Sequence, residues 1–164
     1  MIVANSSPII ILGKQGMIEL FEKCLRKVII SKSVYEEVMQ RKDSPEAIAL
    51  NRAIKSGRIT VQKVAIIPTL DTKNIGQGEK EAISLAYKHK SLLIVDDDSA
   101  KKYASIFRVE AHGTLYVIYL AYARRLIDRT TSINILEGMI SEGFYVSSEL
   151  YSKFLDLLGK LEDD

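Results

Sequence analysis

Residues 91–98 read Ser-Leu-Leu-Ile-Val-Asp-Asp-Asp, an apolar run that passes without a break into three carboxylates. A short run with no polar side of its own is the pattern of a strand buried on both faces, as in a parallel sheet. The acidic turn then marks the carboxyl end of that strand as open to solvent. In open α/β sheets ligands bind at that end. Asp96, Asp97 and Asp98 repel one another, so water, a neighbouring basic group or a divalent cation must offset their charge. A simpler role competes: a helix is expected from about Ser99, and acidic residues at a helix start cap it and suit its dipole.

The same alternation recurs along the chain. Ile2-Val3-Ala4 predicts a strand, followed by a helix with Ser7 as cap and Pro8 at its first position, running to about Gly13. A helix over 17–24 leads to a second strand, Val28-Ile29-Ile30. Ser31 or Ser33 then caps a helix whose Val34 and Val38 face inward. Ser44-Pro45-Glu46 opens another helix to Gly57, and Ile59-Thr60-Val61 is a third strand. Residues 65–75 read as an irregular connection. A strong helix over 79–89 feeds the strand at 92–95, and a last strand is expected near 106–110. From Gly113 onward the pattern is helical, over 115–121, 132–140 and 148–158. This order predicts one α/β domain over residues 1–164, with a central parallel sheet of four to five strands, flanking helices and a helical final third.

Composition narrows the functional classes. Apolar content of 47% and a net charge of +2 are ordinary for a globular protein, and so mild a charge does not by itself argue for nucleic acid. The single cysteine, Cys24, excludes an intrachain disulfide and a thiolate metal cluster, and a reducing cytoplasm is the expected setting. Cys24 falls on an apolar helical face and reads as a buried, inert thiol. No signal peptide is expected, and the longest apolar run, residues 115–123, is far short of a membrane span. His89 and His112 are too few and too far apart for a zinc site. Gly76-Gln77-Gly78 lacks the Gly-Lys-Ser/Thr of a phosphate-binding loop.

On the predicted frame, Asn5 closes the first strand and Asp96 and Asp97 close the fourth. Glu37 lies in the helix after the second strand, and Glu79 begins the helix that feeds the fourth. Separate segments thus bring Asn5, Glu37, Glu79 and Asp96/Asp97 toward one sheet edge. An oxygen-only donor set of that kind suits Mg²⁺ or Mn²⁺. Such ions polarise a phosphoryl oxygen and lower the pKa of a bound water.

The chain also resembles the PIN-domain family, in particular its prokaryotic PIN-like branch. The resemblance is carried by Val3-Ala4-Asn5-Ser6-Ser7-Pro8, Ser33-Val34-Tyr35-Glu36-Glu37-Val38, Gly76-Gln77-Gly78-Glu79-Lys80-Glu81-Ala82-Ile83 and the stretch from Leu92 to Lys101. Gly113-Thr114-Leu115 and Glu142-Gly143-Phe144-Tyr145-Val146-Ser147 extend it over nearly the whole chain. It implies a parallel sheet whose acidic residues hold Mg²⁺ or Mn²⁺, and an RNA-cleaving activity as in the toxin half of toxin–antitoxin pairs. It further implies an antitoxin protein as restraining partner and a homodimer as assembly. Residue by residue, it places Asn5 at the first acidic position and Glu37 at the helical glutamate. Glu79 takes the third position, with Glu81 as its rival, and Asp96 or Asp97 the fourth. Ser7 matches the small hydroxyl residue that accompanies the first position, and Asp98 extends the acidic turn. Asn5 departs from the family pattern: an amide oxygen ligates a cation without contributing charge. The site either works with its remaining carboxylates, needs more metal, or has lost cleavage and kept binding.

Two further readings compete with a metal-dependent ribonuclease. A non-catalytic PIN-like module would bind RNA or protein, using Lys14, Lys23, Arg26, Lys27 and Lys32, or Lys101, Lys102 and Arg108, as basic patches. A phosphotransfer receiver domain also places acids at strand ends, but needs an aspartate–lysine pair that the sequence does not supply. Tyr116, Tyr119 and Tyr122 recur every three residues on one helix, a spacing read as core packing or a self-association face ahead of nucleobase stacking.

Overall fold

The computed structural model describes residues 1–25 and 27–160. Arg26 of the first basic group and the acidic run Glu162-Asp163-Asp164 therefore lie outside the described residues. From the N-terminus come β1 (Ile2–Ala4), α1 (Ser6–Lys14), α2 (Glu19–Leu25), β2 (Val28–Ser31) and α3 (Lys32–Val38). Then follow α4 (Pro45–Lys55), β3 (Ile59–Gln62), α5 (Pro68–Asp71), α6 (Gln77–His89) and β4 (Leu92–Ile94). The chain continues through α7 (Asp98–Ile106), β5 (Ala111–His112), α8 (Thr114–Ala123), α9 (Arg129–Ser141) and α10 (Ser148–Lys160).

The strands pair in the order β3-β2-β1-β4-β5, all parallel. The chain builds outward from β1 to β3, then crosses back and builds from β4 to β5 on the other side. Its direction of winding therefore reverses between β1 and β4. At such a switch point the flanking connections diverge and a crevice opens beyond the carboxyl ends of the two strands. Ala4 pairs with Ile94, and the Asn5 amide donates to the Ile94 carbonyl at 2.9 Å, so those two ends stand level.

Alternation along each strand divides the core in two. Ile2, Ala4, Val28, Ile30 and Ile94 face helices α1 to α4 and α8 to α10, while Val3, Ile29, Leu93 and Val95 face α6 and α7. Each of these strand side chains is buried, and fully burying one aliphatic side chain contributes about 1.5–3 kcal/mol. A slip of one residue would exchange the two faces of a strand, so this burial also fixes the register.

Local chemistry sets the element boundaries. Ser31 caps α3 by accepting the Val34 amide at 3.1 Å, and Ser44 caps α4 by accepting the Ala47 amide at 3.3 Å. Three expectations need correction. The cap position of α1 is Asn5, not Ser7, since the helix begins at Ser6. Residues 65–75 contain the short helix α5. The last strand lies at Ala111–His112 rather than near 106–110, because α7 continues to Ile106 and Arg108 then turns the chain in the left-handed region (φ 55°). The basic patch around α1 to α3 is largely neutralised: Lys14 pairs with Glu142, Lys23 with Glu19 and Lys32 with Glu36. Cys24 is buried, and that burial pushes its thiol pKa up. Among the described residues no helix is long and apolar enough to cross a membrane.

Candidate active site

Asn5 follows β1 directly into the switch-point crevice and is 4% exposed. A cap asparagine normally accepts an amide N–H from the second or third helical residue. Here the third residue of α1 is Pro8, which has no N–H, and the Asn5 side chain makes no cap hydrogen bond. Its Oδ1 is buried with no hydrogen-bond partner among the described residues. Such an orphaned acceptor costs free energy unless a ligand or water satisfies it.

Two glutamates approach this oxygen from neighbouring helices. A Cβ added at Gly78, in the first turn of α6, would lie 3.5 Å from Asn5 Oδ1 and 3.4 Å from Glu37 Oε2. Glycine thus leaves a small space between the amide and the carboxylate. Glu79, one residue on, turns its carboxylate back to accept the Gly76 amide at 2.5 Å, which closes the start of α6. Burial raises the pKa of Glu79, the Gly76 hydrogen bond lowers it, and the charges of Asp97 and Glu37 raise it again. Glu79 therefore stands electrostatically between the other two acids.

The three aspartates after β4 divide their work. Asp96 accepts the Thr114 amide on Oδ1 and the Thr114 hydroxyl on Oδ2, each at 2.7 Å. Burial raises its pKa, against the two Thr114 hydrogen bonds and the Lys101 charge, which lower it. Gly113 is required beside it, since a Cβ there would meet Asp96 Oδ1 at 2.9 Å. Asp97 is exposed and caps α7 by accepting the Ala100 amide at 2.7 Å. Asp98 is exposed and pairs with Lys101 at 3.3 Å. The offsets offered for the acidic run are thus a helix start and a lysine, both present at once.

Not every acid joins the mouth. Glu81 accepts the Ser33 amide at 3.1 Å, the Ser33 hydroxyl at 2.7 Å and the Gln77 side chain at 3.2 Å. Burial pushes its pKa up, but these hydrogen bonds outweigh that and leave it below the usual value. Glu81 ties α6 to the start of α3. The remaining set is shared by two adjoining cavities. Asn5, Glu37 and Gly78 line the smaller, Asp96, Asp97 and Lys101 the larger, and Ser7 and Glu79 border both. The larger is an open cleft of about 1020 Å³. Thr114, which fixes Asp96, carried no signal of its own in sequence beyond its place in the Gly113-Thr114-Leu115 motif.

Fold and mouth together define a doubly wound α/β domain with an acidic crevice at its switch point. The chain belongs to the PIN-domain family: residues 1–160 match the family DUF3368, described as a PIN domain. PIN domains are in general a nuclease fold and typically use divalent metal ions. Among solved structures, the chain is similar to a PilT N-terminus domain protein from the hyperthermophilic archaeon Sulfolobus solfataricus P2. The two share 20% identity over 71% of this chain and 90% of that one, with a TM-score of 0.53, a likeness of fold. No curated protein matches the chain in sequence.

The donor chemistry at the mouth fits a hard divalent cation. The orphaned Asn5 oxygen and the nearby Glu37, Glu79 and Asp97 carboxylates are all oxygen donors, and Gly78 keeps a space open between the first two. Among the described residues, no three His, Cys, Asp or Glu side chains are gathered so as to hold an ion by themselves. Asn5 supplies an uncharged amide oxygen, and Glu79 and Asp97 each accept a backbone N–H at the start of their own helix.

Proposed function

We propose that this protein is a divalent-metal-dependent ribonuclease that hydrolyses phosphodiesters at the crevice between β1 and β4. The observation that carries the proposal is the buried, unpartnered oxygen of Asn5 beside Glu37 and Glu79 at the switch point. Asn5, Glu37, Glu79 and Asp97 are the residues that would hold the ion. A bound Mg²⁺ or Mn²⁺ would supply a polarised phosphoryl oxygen and a water of lowered pKa. Thr114 keeps Asp96 fixed behind Asp97, and Lys101 places a positive charge near the mouth for a phosphate oxygen. Ser7 borders both cavities and orients a solvent molecule or phosphate oxygen there.

The same reading makes the protein a cytoplasmic toxin-type nuclease that works as a homodimer and is restrained by an antitoxin protein. Light scattering on the purified protein tests the dimer, and co-purification with a neighbouring small protein tests the restraint. Cleavage is tested with labelled RNA and Mn²⁺, alongside Asp97→Asn and Glu79→Gln. Loss of cleavage in both variants supports the assignment, and equal cleavage in all three preparations assigns the activity to a contaminant.

A second reading, a PIN-like module that binds nucleic acid or protein without cutting, is favoured by one observation. The buried oxygen at the centre of the site belongs to the uncharged amide of Asn5, where the resemblance expects a carboxylate, and an amide pulls less strongly on a cation. Salt-dependent RNA binding with no response to metal and no cleavage would establish it in place of the first.

A further inference from the structure

The acids supply only part of the lining of the larger cleft, and the rest is of another chemistry. Tyr116 and Tyr119 on α8, Tyr145 in the α9–α10 connection and Phe154 on α10 line it, and Lys153 stands among them. Tyr145 is 85% exposed, although a ring of that size gains free energy by burial. The Tyr116 ring is covered on one face by His112, stacked at 4.0 Å and 14°, which steadies it, and Tyr116 also borders the cleft. The three-residue spacing of Tyr116, Tyr119 and Tyr122 predicts core packing or self-association. Tyr116 and Tyr119 do pack against the core, yet both also border the opening.

We propose that this aromatic wall is a stacking subsite for an unpaired nucleobase next to the phosphate held at the acidic mouth. The inference rests on the ribonuclease reading and adds a base-binding subsite to that site. Three features point to a base rather than to an apolar peptide. Tyrosine combines a flat π face with a polar rim, which suits a nucleobase that must stay partly hydrated. Lys153 brings a positive charge to the cleft beside Phe154, where a strand carries its phosphates. The wall also shares one cavity with the carboxylates, so a nucleotide on the aromatic side leaves its phosphate near Asp97 and Glu79. A duplex, whose bases are stacked on each other, cannot offer a face to Tyr145.

The experiment measures binding by fluorescence anisotropy with short labelled RNA single strands. Calcium replaces magnesium, so that the acidic end is neutralised, and gels verify that the strand stays intact. A base-bearing strand should bind, with the same strand carrying an abasic site opposite the wall and the matched duplex both weaker. Tyr145→Ala should weaken binding by roughly fivefold to a hundredfold, the range for loss of one base–aromatic stack, and Tyr145→Phe should restore it. Equal binding by parent and Tyr145→Ala, or by abasic and base-bearing strands, overturns the subsite, and cleavage persisting in Mn²⁺ would then leave the nuclease reading standing. The stacking pattern without cleavage supports the subsite and removes the nuclease reading. Should Tyr145→Ala instead dissolve a dimer in light scattering and leave strand binding untouched, the wall is a self-association face and the proposal falls.

Discussion

Asp96 is held at both carboxylate oxygens by one residue, Thr114, through its amide and its hydroxyl, each at 2.7 Å. This pair joins the carboxyl end of β4 to the first turn of α8 and leaves Asp97 as the more exposed of the two aspartates. The two should therefore answer differently to substitution. Thr114→Val keeps shape but removes the hydroxyl donor from a buried carboxylate, at a cost of about 1–3 kcal/mol in urea unfolding. Asp97→Asn keeps an acceptor for the Ala100 amide, since asparagine caps as well as aspartate, and should stay within about 0.5 kcal/mol of the parent. Its Mn²⁺ binding, followed by calorimetry, should nevertheless fall. If Asp97→Asn destabilises the protein by more than Thr114→Val while binding metal as the parent does, the roles given to the two aspartates are reversed.

Gly78 separates the stability of the site from its capacity. A methyl there meets Glu37, Val34 and Asn5 at 3.4 to 3.5 Å, which is ordinary contact. Gly78→Ala should thus leave stability unchanged or raise it by up to about 1 kcal/mol, as alanine is the better helix former. The same methyl fills the space before the Asn5 oxygen, so Mn²⁺ affinity should drop by about tenfold or more. An unaltered affinity would mean that no ion sits there.

Much of this arrangement is legible in the chain itself, for a physical reason. Apolar runs such as 28–30 and 92–95 have only one way to hide both sides, so strand positions and the parallel sheet follow from burial. Strand order then sends Asn5 and Asp96 to the same crevice. Side-chain contacts do not follow in this way. Glu79 and Glu81 look alike in sequence, two residues apart at a helix start. In the structure one turns to Gly76 at the mouth and the other to Ser33 on α3, a distinction set by how two helices meet. The last strand lies later than the sequence pattern predicts because Arg108 makes a left-handed turn more usual for glycine.

That turn recurs. Lys90, after α6, and Arg125, after α8, also take positive φ, 48° and 56°. Each closes its helix with paired backbone hydrogen bonds, the residue beyond it donating to Ala86 and to Ala121 respectively. A side chain in this region costs roughly 1–2 kcal/mol, and glycine would return part of that to the unfolded chain. Lys90→Gly and Arg125→Gly should each stabilise by about 0.5 kcal/mol, and the pair should be additive in thermal unfolding if the two turns are independent.

Glu81 gives the fold a pH dependence of known sign. Its hydrogen bonds from Ser33 and Gln77 leave its pKa below the usual 4.5, so in the folded state it binds protons less readily than in the unfolded chain. The stabilisation is therefore complete above about the unfolded pKa and is lost as pH falls through the lowered folded value. Partial exposure keeps the contribution to about 1 kcal/mol. Glu81→Gln should trail the parent by that amount at neutral pH, and the gap should close in strong acid. A gap that stays constant with pH would show that charge on Glu81 is not what ties α6 to α3.

Asn5 is where charge and stability oppose each other. Asn5→Asp would add a carboxylate at a position 4% exposed, close to the carboxylates of Glu37 and Glu79. In chelator the variant should lose about 1–3 kcal/mol, because a buried charge without a partner is costly and like charges stand nearby. With Mn²⁺ the order should reverse. A ligand that binds only the folded state stabilises it by about 2.7 kcal/mol at a hundred times its Kd, so a tighter site recovers more on the same metal. Unfolding temperature measured with and without Mn²⁺ checks this as a difference of differences. The metal-dependent gain should be larger in Asn5→Asp than in the parent, and RNA cleavage at low metal should rise with it. An equal gain in both proteins would remove Asn5 from the cation's surroundings and leave its unsatisfied oxygen to some other ligand.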